Sequence, residues 1–298
     1  MKYILFHIGD LPSHISICIN TILSIDKESE IIFFTDKKIN LPGIQVLNLN
    51  DFDDLIHKKT EIIELYKNSN FKENPLWFTS FLRVLSLNTI AKKLNLKEFV
   101  HFDNDVLIYE PFSKLNNTNN LIQKSKINIT QLDSLNLAFG YSFFSGEKSL
   151  DSLEKFFNQI LQNYYLNTNI ENKGKPINEM RAMKIFFDKN KSQFNLLPNL
   201  PYFSEYFLFD PASYGQYLDG THFNRGNYAF IRRYVSLEHT VGKEIKSKRI
   251  NIKFLKNNPY VYWNNQTYKL VNLHIHSKNL KKFLPNEYKE YFKSNSFF

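Results

Sequence analysis

The chain has 298 residues, 43% hydrophobic and 22% charged, a globular composition with enough apolar material to bury a substantial core. A single cysteine, Cys18, excludes an intrachain disulfide and a cysteine metal cluster and reads as core filler. No apolar run reaches the roughly 18 residues of a membrane-spanning helix.

The net charge of +9 favours anionic partners such as nucleic acid, lipid headgroups or phosphorylated ligands, although the lysines are scattered. The densest basic run, Lys243 to Lys256, reads either as a solvated face or as a contact with a membrane surface or anionic acceptor. Met1-Lys2-Tyr3 leads into a strand pattern rather than a signal peptide, so a cytoplasmic location is expected, with room for peripheral contact at the inner face of a membrane.

Lys2 to Ile8 predicts a buried strand, and Ser13 to Ile25 the helix after it, with Ser13 as N-cap. Ser29 to Asp36 predicts a second buried strand and Gly43 to Leu49 a short third. This alternation predicts an α/β fold with a mostly parallel sheet and helices on both faces. Pro75 to Leu94 carries Phe78, Phe81, Leu82, Leu85, Leu87 and Ile90 at helical spacing and delivers the chain to "KEFVHFDND", a strand that ends at Asp103 and Asp105. Lys114 to Asn119 reads as a polar loop. With no internal repeat and no Gly/Ser linker, one domain over 1–298 is the simplest organisation.

Ligands of open parallel sheets bind beyond the carboxyl ends of the strands, where Asp103 and Asp105 fall. Residues two apart on an extended chain point the same way, so both carboxylates face one ligand. Their repulsion is relieved by a divalent cation, and oxygen ligands suit Mg²⁺ or Mn²⁺, which bind through one or two carboxylates plus substrate phosphates.

Near the C-terminus, Val271, Leu273 and Ile275 alternate with Asn272, His274 and His276, which puts both histidines on the face opposite the apolar residues. An imidazole there would complete a metal site with the two aspartates, and Lys278 would neutralise a diphosphate. His276, closer to Lys278, is the favoured ligand over His274. The segment after Leu270 is expected to order on ligand binding, with the core complete without it.

In the middle of the chain, Leu208 to Gly226 is a turn-rich stretch holding Asp210, Gln216, Asp219, His222 and Arg225. It reads either as a ligand-positioning loop or as one whose aspartates cap its own turns. Ile8, Gly9 and Asp36 stand at the ends of the first two strands, where they read either as ligand contacts or as ordinary Asp-terminated turns.

These segments resemble the GT-A glycosyltransferases. "LKEFVHFDNDVLIYEPF" closely resembles their Asp-x-Asp segment, which holds a metal on the diphosphate of a sugar nucleotide. The preceding helix, with Arg83, is similar to that of the glycogenin-like and lipopolysaccharide galactosyltransferase-like members, and "VNLHIHSKNLKKF" to their C-terminal segment with a metal-ligating histidine and a phosphate-binding lysine. "NLAFGYSFFSGEKSLDSLEKFF" looks like their next strand and helix, where a small residue near Gly140 admits the donor sugar. "PINEMRAMKIFFDKN" is similar to a segment that begins Asp-Gln in those relatives and here reads Asn178-Glu179.

The resemblance implies a GT-A fold with a nucleotide-binding half over 1–112 and an acceptor-side half over 113–298. It implies a metal-dependent glycosyltransferase of the hexosyl-transferring EC 2.4 class that uses a nucleotide-diphosphate sugar, UDP-linked by expectation, and a glycan or glycolipid acceptor, in polysaccharide biosynthesis. Asp103, Asp105 and His276 or His274 would hold Mn²⁺ or Mg²⁺. Ile8, Gly9, Asp36, Arg83, Asn104, Gly140, Gln216 and Lys278 would bind the donor, and Glu179, or else Asp210 or Asp219, would face the anomeric carbon. The likeness to glycogenin tilts the stereochemistry toward retention, and no nucleic acid partner is expected.

Two rivals stay open. A sugar-phosphate nucleotidyltransferase would need a Gly-rich basic loop where this chain has "HIGDLPSH", and a non-catalytic, basic polyanion- or glycan-binding protein leaves the paired aspartates without a purpose.

Overall fold

The structure is a computed structural model and describes residues 1–67, 75–166, 177–220 and 235–294. The first part of the chain runs β1 (Lys2–His7), α1 (His14–Ile25), β2 (Glu30–Thr35), β3 (Gln45–Asn48), α2 (Asp53–Lys67), α3 (Pro75–Lys93), β4 (Glu98–His101), β5 (Val106–Ile108) and α4 (Phe112–Asn116). It continues through β6 (Ile127–Gln131), β7 (Leu137–Ser145), α5 (Glu147–Leu166), α6 (Glu179–Lys189), β8 (Phe194–Leu197), β9 (Phe207–Leu208) and α7 (Tyr214–Asp219). Last come α8 (Thr240–Lys246), β10 (Asn251–Leu255), β11 (Asn258–Trp263), β12 (Gln266–Leu270), β13 (Asn272–His274) and α9 (Asn286–Ser294).

A seven-stranded sheet in the order β3-β2-β1-β4-β7-β6-β8 forms the centre. β3, β2, β1 and β4 are parallel neighbours, β7 runs antiparallel to both β4 and β6, and β8 is parallel to β6. The α/β class read from the alternating elements is therefore the class observed. Helices cover both faces because β1 is apolar on both: Tyr3 and Leu5 pack with Ile15, Cys18 and Ile22 of α1, while Ile4 and Phe6 join the cluster of Phe81, Leu82 and Leu85 from α3. Burial pushes the Cys18 thiol far above its ordinary range, in keeping with inert core filler.

Three local expectations are corrected. Ser13 does not cap α1: its backbone is already helical, its side chain makes no capping bond, and the Ile15 N–H is taken by the Pro12 carbonyl instead. The stretch from Lys114 begins inside α4, whose Phe112 and Leu115 are buried, so only its later part is loop. The basic run from Lys243 is not one solvated face. It covers the end of α8 and all of β10, where Ile245 and Ile250 are buried and Ile252 packs on the core beside Val261 of β11, while the lysines, Phe254 and Leu255 stay exposed.

β10, β11 and β12 form two successive hairpins that add β9 at the far edge. Their turns, Lys256-Asn257 and Asn264-Asn265, hold both central residues at positive φ, the geometry whose twist matches paired strands and which asparagine tolerates well. Among the described residues no helix is long and apolar enough to cross a membrane.

Candidate functional site

The site starts where β4 runs out. Phe99, Val100 and Phe102 are buried to alternate sides of the sheet, and the chain then turns instead of staying extended, with the Val106 N–H bonded to the Asp103 carbonyl at 3.1 Å. The Asn104 amide donates to the Phe6 carbonyl at 2.7 Å and ties this turn to the end of β1. Asp103 and Asp105 do face one point as expected, but a tight turn brings them together rather than strand alternation.

The third member arrives from the far end of the chain. β13 pairs antiparallel with β5 in the register Asn272 to Ile108, Leu273 to Leu107 and His274 to Val106, extended by Tyr109 N–H to Val271 O and Ile275 N–H to Asp105 O, each 2.8 Å. Val271, Leu273 and Ile275 are completely buried, so the apolar phase of this strand locks the polar phase onto the aspartates. His274 Nε2 lies 3.0 Å from Asp105 Oδ1 and 3.7 Å from Asp103 Oδ2.

The structure thus selects His274, not the favoured His276, as the imidazole among the carboxylates. The His276 ring stacks on that of His274 with centroids 4.4 Å apart. The reason is register: His274 stands opposite Val106, next to Asp105.

These three residues offer ligand atoms all within 4.8 Å of one another. Two adjacent ligands of an octahedral ion at about 2.1 Å are about 3.0 Å apart and two opposite ones about 4.2 Å, so the observed separations fit Mg²⁺ or Mn²⁺ with little movement. A set of two carboxylates and one imidazole also suits these ions better than a thiol-preferring metal.

Two cations back the carboxylates. Arg83 of α3 contacts Asp103 Oδ1 and lies 3.5 Å from Glu179 Oε1, with its guanidinium over the Phe139 ring at 5.0 Å. Lys278 contacts Asp105 Oδ2. Burial pushes the Asp105 carboxyl up, but His274 and Lys278 outweigh it and hold the group well below the usual carboxylate range. Burial acts the other way on Glu179, whose pKa is raised even though Arg83 opposes the shift.

The remaining expected residues fall into two groups. The Gly9 N–H donates to Asp36 Oδ1 at 2.9 Å, joining the ends of β1 and β2, with Ile8 partly buried beside them and Lys59 3.6 Å from Asp36. Together with Asn104 they line the carboxyl edge of β1, β2 and β4. Gln216 sits on α7 next to Gly215, which lies against the His274 carbonyl.

Asp210 does not face an open site. It is fully buried, and its carboxylate accepts the backbone N–H groups of Ser213, Tyr214, Gly215 and His274 at 2.6 to 2.9 Å. It clamps α7 to β13 and leaves no oxygen for a reacting centre. Asp219 accepts from Ser277 Oγ at 2.6 Å and contacts Lys282, so it ties the C-terminal turn down. Of the three acidic residues considered, Glu179 is the one that reaches a side chain beside the cluster, Arg83, while of the cluster Asp210 touches only the backbone of His274. His222 and Arg225 lie outside the described residues.

Gly140, expected near the donor, also meets a packing requirement. A Cβ there would sit 2.3 Å from the Asp210 carbonyl oxygen, so the absent side chain lets β7 approach the Asp210 backbone. Gly140→Ala is expected to cost about 1–3 kcal/mol of stability, since the contact is with backbone that cannot swing aside; denaturant unfolding of the variant measures it, and a loss under about 0.5 kcal/mol would contradict the packing.

Asn272 is a residue whose role the sequence concealed. It accepts the Asp210 N–H at 3.0 Å and donates to the carbonyls of Gly140 and Asp210, so one buried amide joins β7, the Asp210 loop and β13. Its place in the polar phase of "VNLHIH" was the available signal.

No family model matches the sequence, and no curated protein matches it. Among solved structures, the chain is similar to mouse xyloside xylosyltransferase 1, with 8% identity and a TM-score of 0.45 over 66% of this chain and 85% of that one. It is also similar to the PaToxG glycosyltransferase, with 11% identity and a TM-score of 0.41 over 64% of this chain and 70% of the other. A third similar structure is the galactosyltransferase LgtC in complex with donor and acceptor sugar analogs, at 12% identity and a TM-score of 0.40 over 80% of this chain and 85% of that one.

Proposed function

We propose that this protein is a metal-dependent glycosyltransferase of the GT-A type, which moves a sugar from a nucleotide diphosphate, UDP by preference, to the hydroxyl of a glycan or glycolipid. The observation that carries this reading is the convergence of Asp103, Asp105 and His274 at the carboxyl end of β4, flanked by Arg83 and Lys278. Such a site binds a dianionic or trianionic ligand through a cation, and the joined ends of β1 and β2 next to it suit a nucleoside.

When bound, Mn²⁺ or Mg²⁺ would supply charge stabilisation for the leaving diphosphate. Asp103, Asp105 and His274 would hold it, while Arg83, held by Glu179 and Phe139, adds permanent positive charge. Gly9 and Asp36 would meet the base and ribose. Glu179 is the acidic group assigned to the reaction side, because Asp210 and Asp219 are spent on the backbone and on the C-terminal turn.

The exposed lysines of the run from Lys243, with Phe254 and Leu255 exposed among them, would bring the enzyme to an anionic membrane surface that carries the acceptor. A nucleotidyltransferase has less support, because the loop after β1 carries Gly9 but no cluster of basic residues.

A screen of UDP- and GDP-sugars for Mn²⁺-dependent nucleotide release tests the reading, since the right donor is hydrolysed slowly without acceptor. With that donor, Glu179→Gln should lower turnover by about 10² while donor affinity stays nearly constant, as expected for a group that acts mainly in the transition state. Equal losses in affinity and rate would instead assign Glu179 to binding, by way of Arg83.

A further inference from the structure

The carboxylates at the end of β4 are already paired with the chain's own cations, and the two cations differ in freedom. Arg83 is buried and gripped by Glu179 and Phe139, so it stays where it is. The Lys278 side chain is about a third exposed, on a turn closed by its own N–H to the Ile275 carbonyl at 2.9 Å, and its φ is +64°. That turn is held at one point by Asp219, through Ser277 Oγ and Lys282 Nζ. Lysine carries its charge on a flexible stem and can be displaced without unpacking its surroundings.

We propose that Lys278 is a resident counter-ion: it occupies Asp105 Oδ2 while the metal site is empty and transfers to the diphosphate when metal and nucleotide enter together. This rests on the reading of the cluster as a metal and diphosphate site. A divalent ion between Asp103, Asp105 and His274 comes within a few ångströms of the Lys278 ammonium, and the two repel. Metal arriving alone must drive the lysine into solvent and forfeits its ion pair with Asp105. Metal arriving with a diphosphate offers the ammonium a new anion, and the loss is recovered.

Lys278 therefore couples the two ligands. Metal affinity rises in the presence of nucleotide, and by linkage nucleotide affinity rises by the same factor in the presence of metal. Asp219 is the positioning residue of this exchange, since it fixes the turn from which Lys278 reaches either partner.

The test measures Mn²⁺ binding by the electron paramagnetic resonance signal of the free ion and UDP binding by calorimetry, each with and without the other ligand. In the wild-type protein the coupling should be about tenfold or more. Lys278→Met should bind Mn²⁺ alone several-fold more tightly, bind UDP less tightly in saturating Mn²⁺, and show a coupling several-fold smaller than the wild type's, the remainder being the direct attraction of diphosphate and metal; Lys278→Arg, which keeps the charge, should keep the full coupling.

If Lys278→Met couples Mn²⁺ and UDP as the wild type does, or binds Mn²⁺ alone no more tightly, the counter-ion role is overturned while the glycosyltransferase reading stands. If the wild-type protein binds neither Mn²⁺ nor UDP, the reading of the site falls and the exchange falls with it.

Discussion

Asp105→Asn is expected to abolish Mn²⁺-dependent nucleotide binding, with a loss of at least about 10²-fold, the upper end of what changes at residues merely supporting a metal ligand produce. Asp105 is the hub of the cluster: one carboxylate oxygen faces His274, the other Lys278, and its backbone carbonyl receives the Ile275 N–H. The amide keeps the shape and the backbone bond but removes the negative charge, and it presents two N–H donors toward groups that also donate. Asparagine is the informative replacement because Asp105 is only 3% exposed, not solvent-facing as a strand-end aspartate suggests, so alanine would add a cavity to the charge effect. Calorimetric titration of UDP with and without Mn²⁺ reads the result. A metal-dependent affinity that survives the substitution would remove Asp105 from the site.

The second large effect concerns the C-terminal segment. Deleting everything after Leu270 is expected to prevent folding, against the sequence-based expectation that the core is complete without it. Val271, Leu273, Ile275 and Leu280 are fully buried and Phe283 nearly so. At about 1.5–3 kcal/mol for each buried side chain, their loss is worth about 10 kcal/mol, which is comparable to the entire stability of a typical protein. The deletion also strips Asn272 from Asp210 and Gly140 and leaves β5 without its only partner strand among the described residues. Circular dichroism and thermal unfolding of the truncated chain check the outcome; a cooperative transition near that of the full chain would mean that the face left by β13 is covered by other residues.

The contrast between these two segments explains what was legible in the sequence. β1, β2, α3 and β4 announce themselves because they are apolar over their whole length, and Asp103 with Asp105 stands out as a break in such a run. The choice between His274 and His276 was not legible, since both occupy the same phase of one strand and only pairing with β5, which is far away in sequence, decides between them. For Asp210 the reading of an aspartate that caps its own turn holds, through the N–H groups of Ser213, Tyr214 and Gly215, but the fourth donor, His274 N–H, comes from a strand far away in sequence and was not legible. Gly140 could be seen as a close approach but not as an approach to backbone. The hairpins of β10 to β12 were hidden by a count of lysines, although Ile252 and Phe254 alternate with Asn251, Lys253 and Leu255.

The pairing of β13 with β5 has a consequence for how the protein acquires its activity. Asp105 and Lys278 are 173 residues apart in the chain, and closing a loop of that length is among the slowest and entropically costliest steps available to a fold. Strands β1 to β4 all lie in the first third of the chain and can assemble while the rest is still being made. Such an intermediate has its two aspartates but neither the imidazole nor the lysine, so it has no competent centre. On the proposed reading of the site, competence would therefore be a late event in the life of each molecule, and metal uptake would report that the chain has reached its native topology.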